Sequence, residues 1–434
     1  MQKNKLIKNT FLLILGGLIT KVLGFVTKIL YTRYLKEDGV SLITLVFPTY
    51  SLLLTISNFA LPLAVTKFIA ENKDRKSKIL FNSFWITIII NIIIISFFMC
   101  FSNVFSVYLL HDERASFLIK ILCLTLPFVS TTSLIKAYYY GKENVLPVIF
   151  SNISEEIIKL TFVITMLPKM VSKGVFYGAS FYLFISLICE VISFFTLSIF
   201  LPKKINLKKL DYKYDSNIKN RLLKISVPTL SGKLIGNIGY FLEPIILTNL
   251  LIYKGLDTNY IRINYGYFQG YAIAILTIPS FFLNALSNSL IPVISKYRIN
   301  NNYSSIKKII KKIVLMILLG GFLFTSSIFI FGKDLMYILY KTTNGYKYLK
   351  ILLPFFILFY LEGPLLVILQ SLNQEKNVFK ITSYGIIIKY IILILLILIN
   401  VGFMSLIYSE IINILFVITI SIYYLRKYLS YSSQ

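Results

Sequence analysis

Apolar residues dominate this chain in long unbroken stretches, and the polar residues gather in the short segments between them. A helix rising about 1.5 Å per residue needs roughly 20 residues to cross ~30 Å of hydrocarbon. Runs of that length fall at 10–31, 41–66, 83–107, 116–139, 147–168, 174–201, 225–252, 264–293, 309–332, 348–371, 380–399 and 403–425. The pattern predicts an all-α polytopic membrane protein with about 12 transmembrane helices. The first run follows Lys3, Lys5 and Lys8 but is too long for a signal peptide, carries Lys21 and Lys28, and has no small-residue cleavage site, so it is expected to remain as the first helix.

Composition agrees. The 434 residues are 57% hydrophobic and 15% charged, with a mean hydropathy of +0.76, whereas soluble domains carry about 25% charged residues. The net charge of +27 does not point to nucleic acid, because the lysines and arginines sit between apolar runs, where they set orientation. Counting alternate loops, one side collects Lys3, Lys5, Lys8, the segment Lys67 to Lys78, Lys142, the run Lys203 to Lys224, the run Lys296 to Lys312, and Arg426 and Lys427. That excess places both termini in the cytoplasm of a multi-pass protein of the cell membrane.

The basic segment 202–224 separates six runs from six, which predicts an N-terminal six-helix lobe at 1–201, a cytoplasmic linker at 202–224 and a C-terminal six-helix lobe at 225–434. The halves echo each other. Leu61-Pro62 matches Ile291-Pro292, Leu126-Pro127-Phe128 matches Leu353-Pro354-Phe355, and Ile157-Ile158-Lys159 matches Ile387-Ile388-Lys389, at offsets of 230, 227 and 230. Gly232-Lys233-Leu234-Ile235-Gly236 resembles Thr20-Lys21-Val22-Leu23-Gly24 at a different offset. Two lobes of equal helix number share one orientation, so the expected relation is a pseudo-two-fold along the membrane normal, a plan common among secondary transporters.

Charged groups in a bilayer cost several kcal/mol, so those that persist face a cavity or a partner. Gly17, Lys21, Gly24 and Lys28 recur at helical spacing on one face of the first run. Lys233, Asn237 and Tyr240 repeat that spacing in the seventh, ahead of Glu243-Pro244, where a proline is expected to kink the helix and serve a gate, as are Pro279 and Pro364. Glu155 and Lys159, four residues apart, can pair along one helix face or bind an ion, with Glu156 beside them. Lys136, Glu190, Glu362, Lys389 and Glu410 are further charges within apolar runs. Ser51, Thr55, Asn58 and Pro62, with Asn284, Ser287, Asn288 and Pro292, form uncharged polar stripes.

No catalytic constellation is present: there is no Walker A pattern, no Gly-x-Ser-x-Gly and no His-Glu-x-x-His. Cys100, Cys123 and Cys189 lie singly in apolar runs and the one histidine, His111, in a polar loop, so neither a disulfide framework nor a metal site is expected. The expectation is a transporter without cofactor, not an enzyme.

Several strings resemble the MOP (multidrug/oligosaccharidyl-lipid/polysaccharide) exporter superfamily in its polysaccharide- and peptidoglycan-precursor-flippase branch, and within it the sporulation members. They are Ile19 to Val26, Leu61-Pro62-Leu63-Ala64-Val65 through Glu71, Val227-Pro228-Thr229, Ile235-Gly236-Asn237, Phe241-Leu242-Glu243-Pro244-Ile245, Thr277-Ile278-Pro279-Ser280-Phe281, Leu290-Ile291-Pro292, Pro354-Phe355-Phe356, Gly363-Pro364 and Leu369-Gln370. The resemblance implies a MATE-like fold working by alternating access. It implies a lipid-linked oligosaccharide diphosphate as substrate, membrane lipids and cell-wall synthases as partners, a monomer, and a role in spore cortex peptidoglycan synthesis at the outer forespore membrane. It also implies that Lys21, Lys28, Lys233 and Asn237 form a cationic substrate cavity, with lysine losing the bidentate phosphate grip of the arginine found in many relatives. Related flippases commonly carry two further C-terminal helices, whereas this sequence stops at Gln434, so a tail groove built from them is not expected. Two other functions fit the sequence, a cation-coupled multidrug exporter and a non-transporting scaffold. The exporter should display acids where the first run is basic, and a scaffold has no use for buried lysines.

Overall fold

In the computed structural model the described residues are 2–71, 76–201 and 215–431; side chains are described for fewer, those of 2–11, 14, 76, 281, 282, 284–286, 288, 289, 292 and 431 being outside the set. The linker expected at 202–224 therefore lies largely outside the described residues. Helix is the regular structure throughout them. That is what a bilayer demands, because a spanning segment must satisfy its own backbone.

Twelve helical segments follow in order: α1 (2–35), α2 (37–71), α3 (76–109), α4 (Arg114–Gly141), α5 (146–171), α6 (Val175–Ile199), α7 (Ser216–Tyr253), α8 (258–299), α9 (Tyr303–Tyr340), α10 (Tyr346–Ser371), α11 (Glu375–Leu398) and α12 (Met404–Tyr431). The expected twelve runs map onto them one for one. Lys36, at φ 53° and ψ −162°, breaks what would otherwise be one helix and divides α1 from α2. A second break at Phe59 and Ala60, both at positive φ, turns the end of α2 just before Pro62. Isoleucine, leucine and phenylalanine cover the outward faces: Ile93 of α3 is 63% exposed, and Leu323 and Ile330 of α9 are each 68% exposed. Apolar side chains so fully presented, on helices long enough to span, make this a multi-pass membrane protein.

The chain forms two compact units, Met1–Ile245 and Ile246–Gln434. The lobes expected from the sequence divide the chain by whole helices, and compactness groups 216–245 with the first six. Several contacts join them: Ser51 Oγ of α2 donates to Asn237 Oδ1 of α7 at 2.7 Å, the Phe105 ring of α3 stacks on Phe241 at 5.5 Å, the Arg221 guanidinium lies 4.9 Å over the Phe68 ring, and Ile218 and Leu222 share a buried cluster with Leu61 and Ala64.

Within the first unit, buried polar side chains join the helices. Ser57 donates to Asn91 Oδ1 at 2.8 Å, and Asn91 Nδ2 donates to Ser130 Oγ at 3.0 Å, tying α2, α3 and α4. Ser151 and Ser193 bond at 2.6 Å across α5 and α6. Gly16 allows α1 to approach α5, since a Cβ there would lie 2.5 Å from Ile149 Cγ2. In the second unit, α8 is interrupted at Thr277 to Pro279, and the Tyr360 hydroxyl of α10 donates to the carbonyl of Leu276 at 2.7 Å, occupying an acceptor freed by the break.

Candidate functional site

The first unit contains a cavity of about 440 Å³ lined by Leu54, Thr55, Asn58, Ala60, Pro62, Leu63, Thr66, Ser133, Lys136, Ala137, Tyr140 and Lys233. The break in α2 falls within this lining: Phe59 and Ala60 are out of helical geometry, Thr55 and Asn58 precede them, and the next helical stretch opens at Leu61 and Pro62. Asn58 Oδ1 is enclosed and makes no hydrogen bond among the described residues. Two lysines supply charge from different helices, Lys136 of α4 and Lys233 of α7, and the lining holds no carboxylate. The hydroxyls of Ser133 and Tyr140 are on the same wall, while those of Thr55 and Thr66 donate to the carbonyls of Ser51 and Pro62, so the lysines are the donors that suit an anion with several oxygens.

Behind Lys136 lies a cluster of charges. Lys136 Nζ is 3.9 Å from Glu155 Oε2 of α5, an ion pair longer than a hydrogen bond. Glu190 of α6 lies within electrostatic reach of Glu155, Lys136 and Lys159. Glu156 lies within reach of Lys159, Glu155 and Lys21, and a Cβ at Gly24 would sit 3.4 Å from Glu156 Oε1. Glu156 Oε2 and Glu190 Oε2 are enclosed and make no hydrogen bond among the described residues.

Of the expected substrate residues, Lys233 lines the cavity. Asn237 sits one turn beyond it, its Nδ2 donating to the Lys233 carbonyl at 3.0 Å while its Oδ1 accepts from Ser51. Lys21 lies within electrostatic reach of Glu156 of α5 and Lys28 is half-buried on α1, and neither is among the residues that line this cavity. The pairing expected between Glu155 and Lys159 takes another form: Glu155 pairs with Lys136, and the Lys159 ammonium lies 5.5 Å from the centre of the Tyr182 ring. Tyr182 in turn packs at 4.1 Å on Tyr31 of α1. A neighbouring helix offers Glu155 a cation, and an aromatic face occupies the lysine on its own helix. Glu243 and Pro244 are buried in α7, which stays helical through the proline, as α10 does through Pro364; Pro279 instead stands at the start of the second stretch of α8. Just past the end of α4, Lys142 Nζ lies 4.5 Å from the Tyr138 ring, and burial lowers its pKa from the ordinary lysine value.

The second unit has its own cluster. Lys389 Nζ of α11 lies 2.6 Å from Glu410 Oε2 of α12, with Glu362 of α10 in electrostatic reach of both. Sequence reasoning registered these three singly. The one signal available was that Lys389 stands 230 positions after Lys159.

The family model described as polysaccharide biosynthesis protein matches residues 6–298. The chain belongs to that polysaccharide biosynthesis family. It is 29% identical over 400 residues to stage V sporulation protein B of Bacillus subtilis, covering 90% of this chain and 77% of that protein. It is 23% identical over 438 residues to the lipid II flippase MurJ of the same organism, again covering 90% and 77%. Among solved structures, an inward-facing multidrug resistance MATE family transporter of the MOP superfamily superposes with a TM-score of 0.79 at 12% identity, covering 95% of each chain. This polysaccharide biosynthesis family member therefore has the MATE-like MOP fold expected from its sequence.

Proposed function

We propose that this protein flips a lipid-linked cell-wall precursor, a saccharide joined to undecaprenol through a diphosphate, from the cytoplasmic to the outer leaflet by alternating access. The observation that carries this reading is the cavity wall: two lysines from different helices, without a carboxylate among the lining residues, in a membrane-spanning member of a polysaccharide biosynthesis family. Cationic drugs would meet only repulsion there, whereas a diphosphate finds charge-assisted donors on two helices. Lys233 and Lys136 are assigned to the diphosphate, Asn58 Oδ1 to accepting from a saccharide hydroxyl, Asn237 to holding the turn that carries Lys233, and Lys21 and Lys28 to the potential along α1. Pro244, Pro279 and Pro364 mark places where a helix can bend between states.

Similarity to a sporulation protein and a lipid II flippase supports a precursor of spore cortex peptidoglycan, handled at the outer forespore membrane with both termini in the cytoplasm. The protein is proposed to act as a monomer that passes its product to cell-wall synthases. The test is reconstitution: vesicles containing the purified protein and a fluorescent undecaprenyl-diphosphate saccharide are exposed to a membrane-impermeant quencher. Faster transfer than in protein-free vesicles is expected, with phosphatidylcholine transfer unchanged. Equal rates for the two lipids overturn the assignment.

A further inference from the structure

Lys136 belongs to two environments at once. It lines the cavity with Lys233, and it pairs with Glu155 at 3.9 Å. That separation exceeds a hydrogen bond, and the two side chains retain 21% and 19% of their exposure, so water reaches both. An ammonium on a flexible four-carbon stem can turn from one anion to another without backbone movement.

The surrounding charges determine what such a turn does. From α5 come Glu155, Glu156 and Lys159; from α6, Glu190 with Tyr182 and Cys189; from α4, Lys136; from α1, Lys21 and Tyr31; from α2, Tyr50, whose ring oxygen lies 3.5 Å from Thr125 Oγ1. Lys233 lines the same cavity as Lys136. Lys21, Lys136 and Lys159 balance Glu155, Glu156 and Glu190 one for one. With Lys136 committed to an incoming anion, the three carboxylates face two lysines. Glu190 Oε2 is already enclosed without a hydrogen-bond donor, so the excess charge has nowhere to spread.

On the reading that the cavity takes a diphosphate headgroup, we infer that Lys136 is exchanged from Glu155 to the substrate, and that the Glu155–Glu190 pair takes up one proton as the headgroup binds. The proton comes from hydronium in the cavity water and forms an O–H bond on one carboxylate, leaving water behind; nothing is oxidised or reduced. Lys136 is thus a substrate contact that also reports occupancy to the carboxylates. By linkage, binding that takes up one proton tightens as pH falls, by at most about tenfold per pH unit.

The test measures binding of a short-chain prenyl diphosphate joined to N-acetylglucosamine, whose disubstituted diphosphate has no second ionisation near neutrality, to the full chain in detergent. Calorimetry in two buffers of different ionisation enthalpy counts protons directly. Wild type is expected to take up about one proton and to bind more tightly at lower pH. Glu155→Gln leaves Lys136 available and the remaining charges balanced after binding, so it should bind more tightly than wild type at alkaline pH and with no proton uptake. Lys136→Ala should bind weakly, also without uptake, because its carboxylates are already short of one cation before binding. Lys136→Arg should restore the uptake. A folding defect would show in size-exclusion profiles, and the opposite affinity changes of Glu155→Gln and Lys136→Ala separate coupling from a structural pair. Binding without proton uptake in wild type, or uptake undiminished in Lys136→Ala, overturns the exchange and leaves the flippase reading standing. Absence of binding by wild type at every pH overturns both.

Discussion

Replacing Lys233 with alanine tests the cavity most directly. Lys233 lies on an exposed face of α7 and makes no ion pair among the described residues; the neighbouring Gly232 and Gly236 face open space, and the hydrogen bond from Asn237 Nδ2 to the Lys233 carbonyl survives the substitution. Stability should therefore change by less than about 0.5 kcal/mol, the range for surface positions. A hydrogen bond between an ammonium and a phosphate contributes about 1.5–3 kcal/mol. Exposure of Lys233 favours the lower bound, because water screens it until the cavity closes. A loss of about 1.5 kcal/mol is roughly tenfold in affinity. Lys136 is partly engaged by Glu155, so it cannot fully replace the missing cation. The assay is the quencher experiment at matched protein density, with substrate varied below saturation. Lys233→Ala should slow flipping roughly tenfold, and Lys233→Arg should keep most of the rate because the charge remains. A Lys233→Ala protein as fast as wild type at limiting substrate would refute a headgroup contact at this position.

Other consequences are equally open to measurement. In a chain whose three cysteines are replaced, Asn217→Cys should be shielded from an impermeant thiol reagent added to intact cells while Thr258→Cys is labelled; the reverse result inverts the topology. Tyr360→Phe removes the donor to the Leu276 carbonyl at the break in α8 and should lower the unfolding free energy by about 0.6–1.7 kcal/mol, the span measured for hydrogen bonds between membrane helices. A thermal midpoint equal to wild type would mean that another donor reaches that carbonyl. Potential should also drive the cycle. Two negative charges crossing the whole field outward gain roughly 4–5 kcal/mol per 100 mV, interior negative, and half of that when one proton accompanies them. Collapsing the potential in proteoliposomes should slow net outward flipping more than collapsing a pH gradient does; rates indifferent to potential would show that the charge is compensated.

The helices were legible in the sequence because a bilayer imposes one length and one composition, and each of the twelve apolar runs became a helix. Interruptions were harder to read. Nothing in Leu35-Lys36-Glu37 announces that Lys36 will adopt positive φ, and the bend at Phe59 and Ala60 precedes Pro62 by more than the one residue a proline constrains directly. The cavity was half visible. Lys233 stood out as a cation at helical spacing from Asn237, but Lys136 looked like an isolated charge and Asn58 like one member of a polar stripe, since the feature that joins them is the approach of α2 to α4. Spacing of four residues suggested Glu155 with Lys159, and the structure chose a partner on another helix. Local periodicity can say which side chains share a face, but it cannot say what the neighbouring helix presents to them.

The internal repeat carries information that single helices do not. Lys159 and Lys389, matched between the halves, each lie among carboxylates contributed by other helices, Glu190 in the first unit, Glu362 and Glu410 in the second. Packing alone does not call for this, because a well-packed apolar residue at either position would avoid the cost of inserting a charge and often leaves a protein as stable or more so. Where such a cluster borders a cavity, as the one with Lys136 does, a change of partner during the cycle accounts for its lysines. On the proposed function, the partner in the first unit is an anion that enters the cavity beside Lys136. The second cluster holds its lysine at 2.6 Å from Glu410, a hydrogen-bonded pair where the Lys136–Glu155 pair is loose. The looser pair is the one that borders the cavity. That is the distribution expected when one cluster must release its cation to a substrate and the other must hold two helices together while it does.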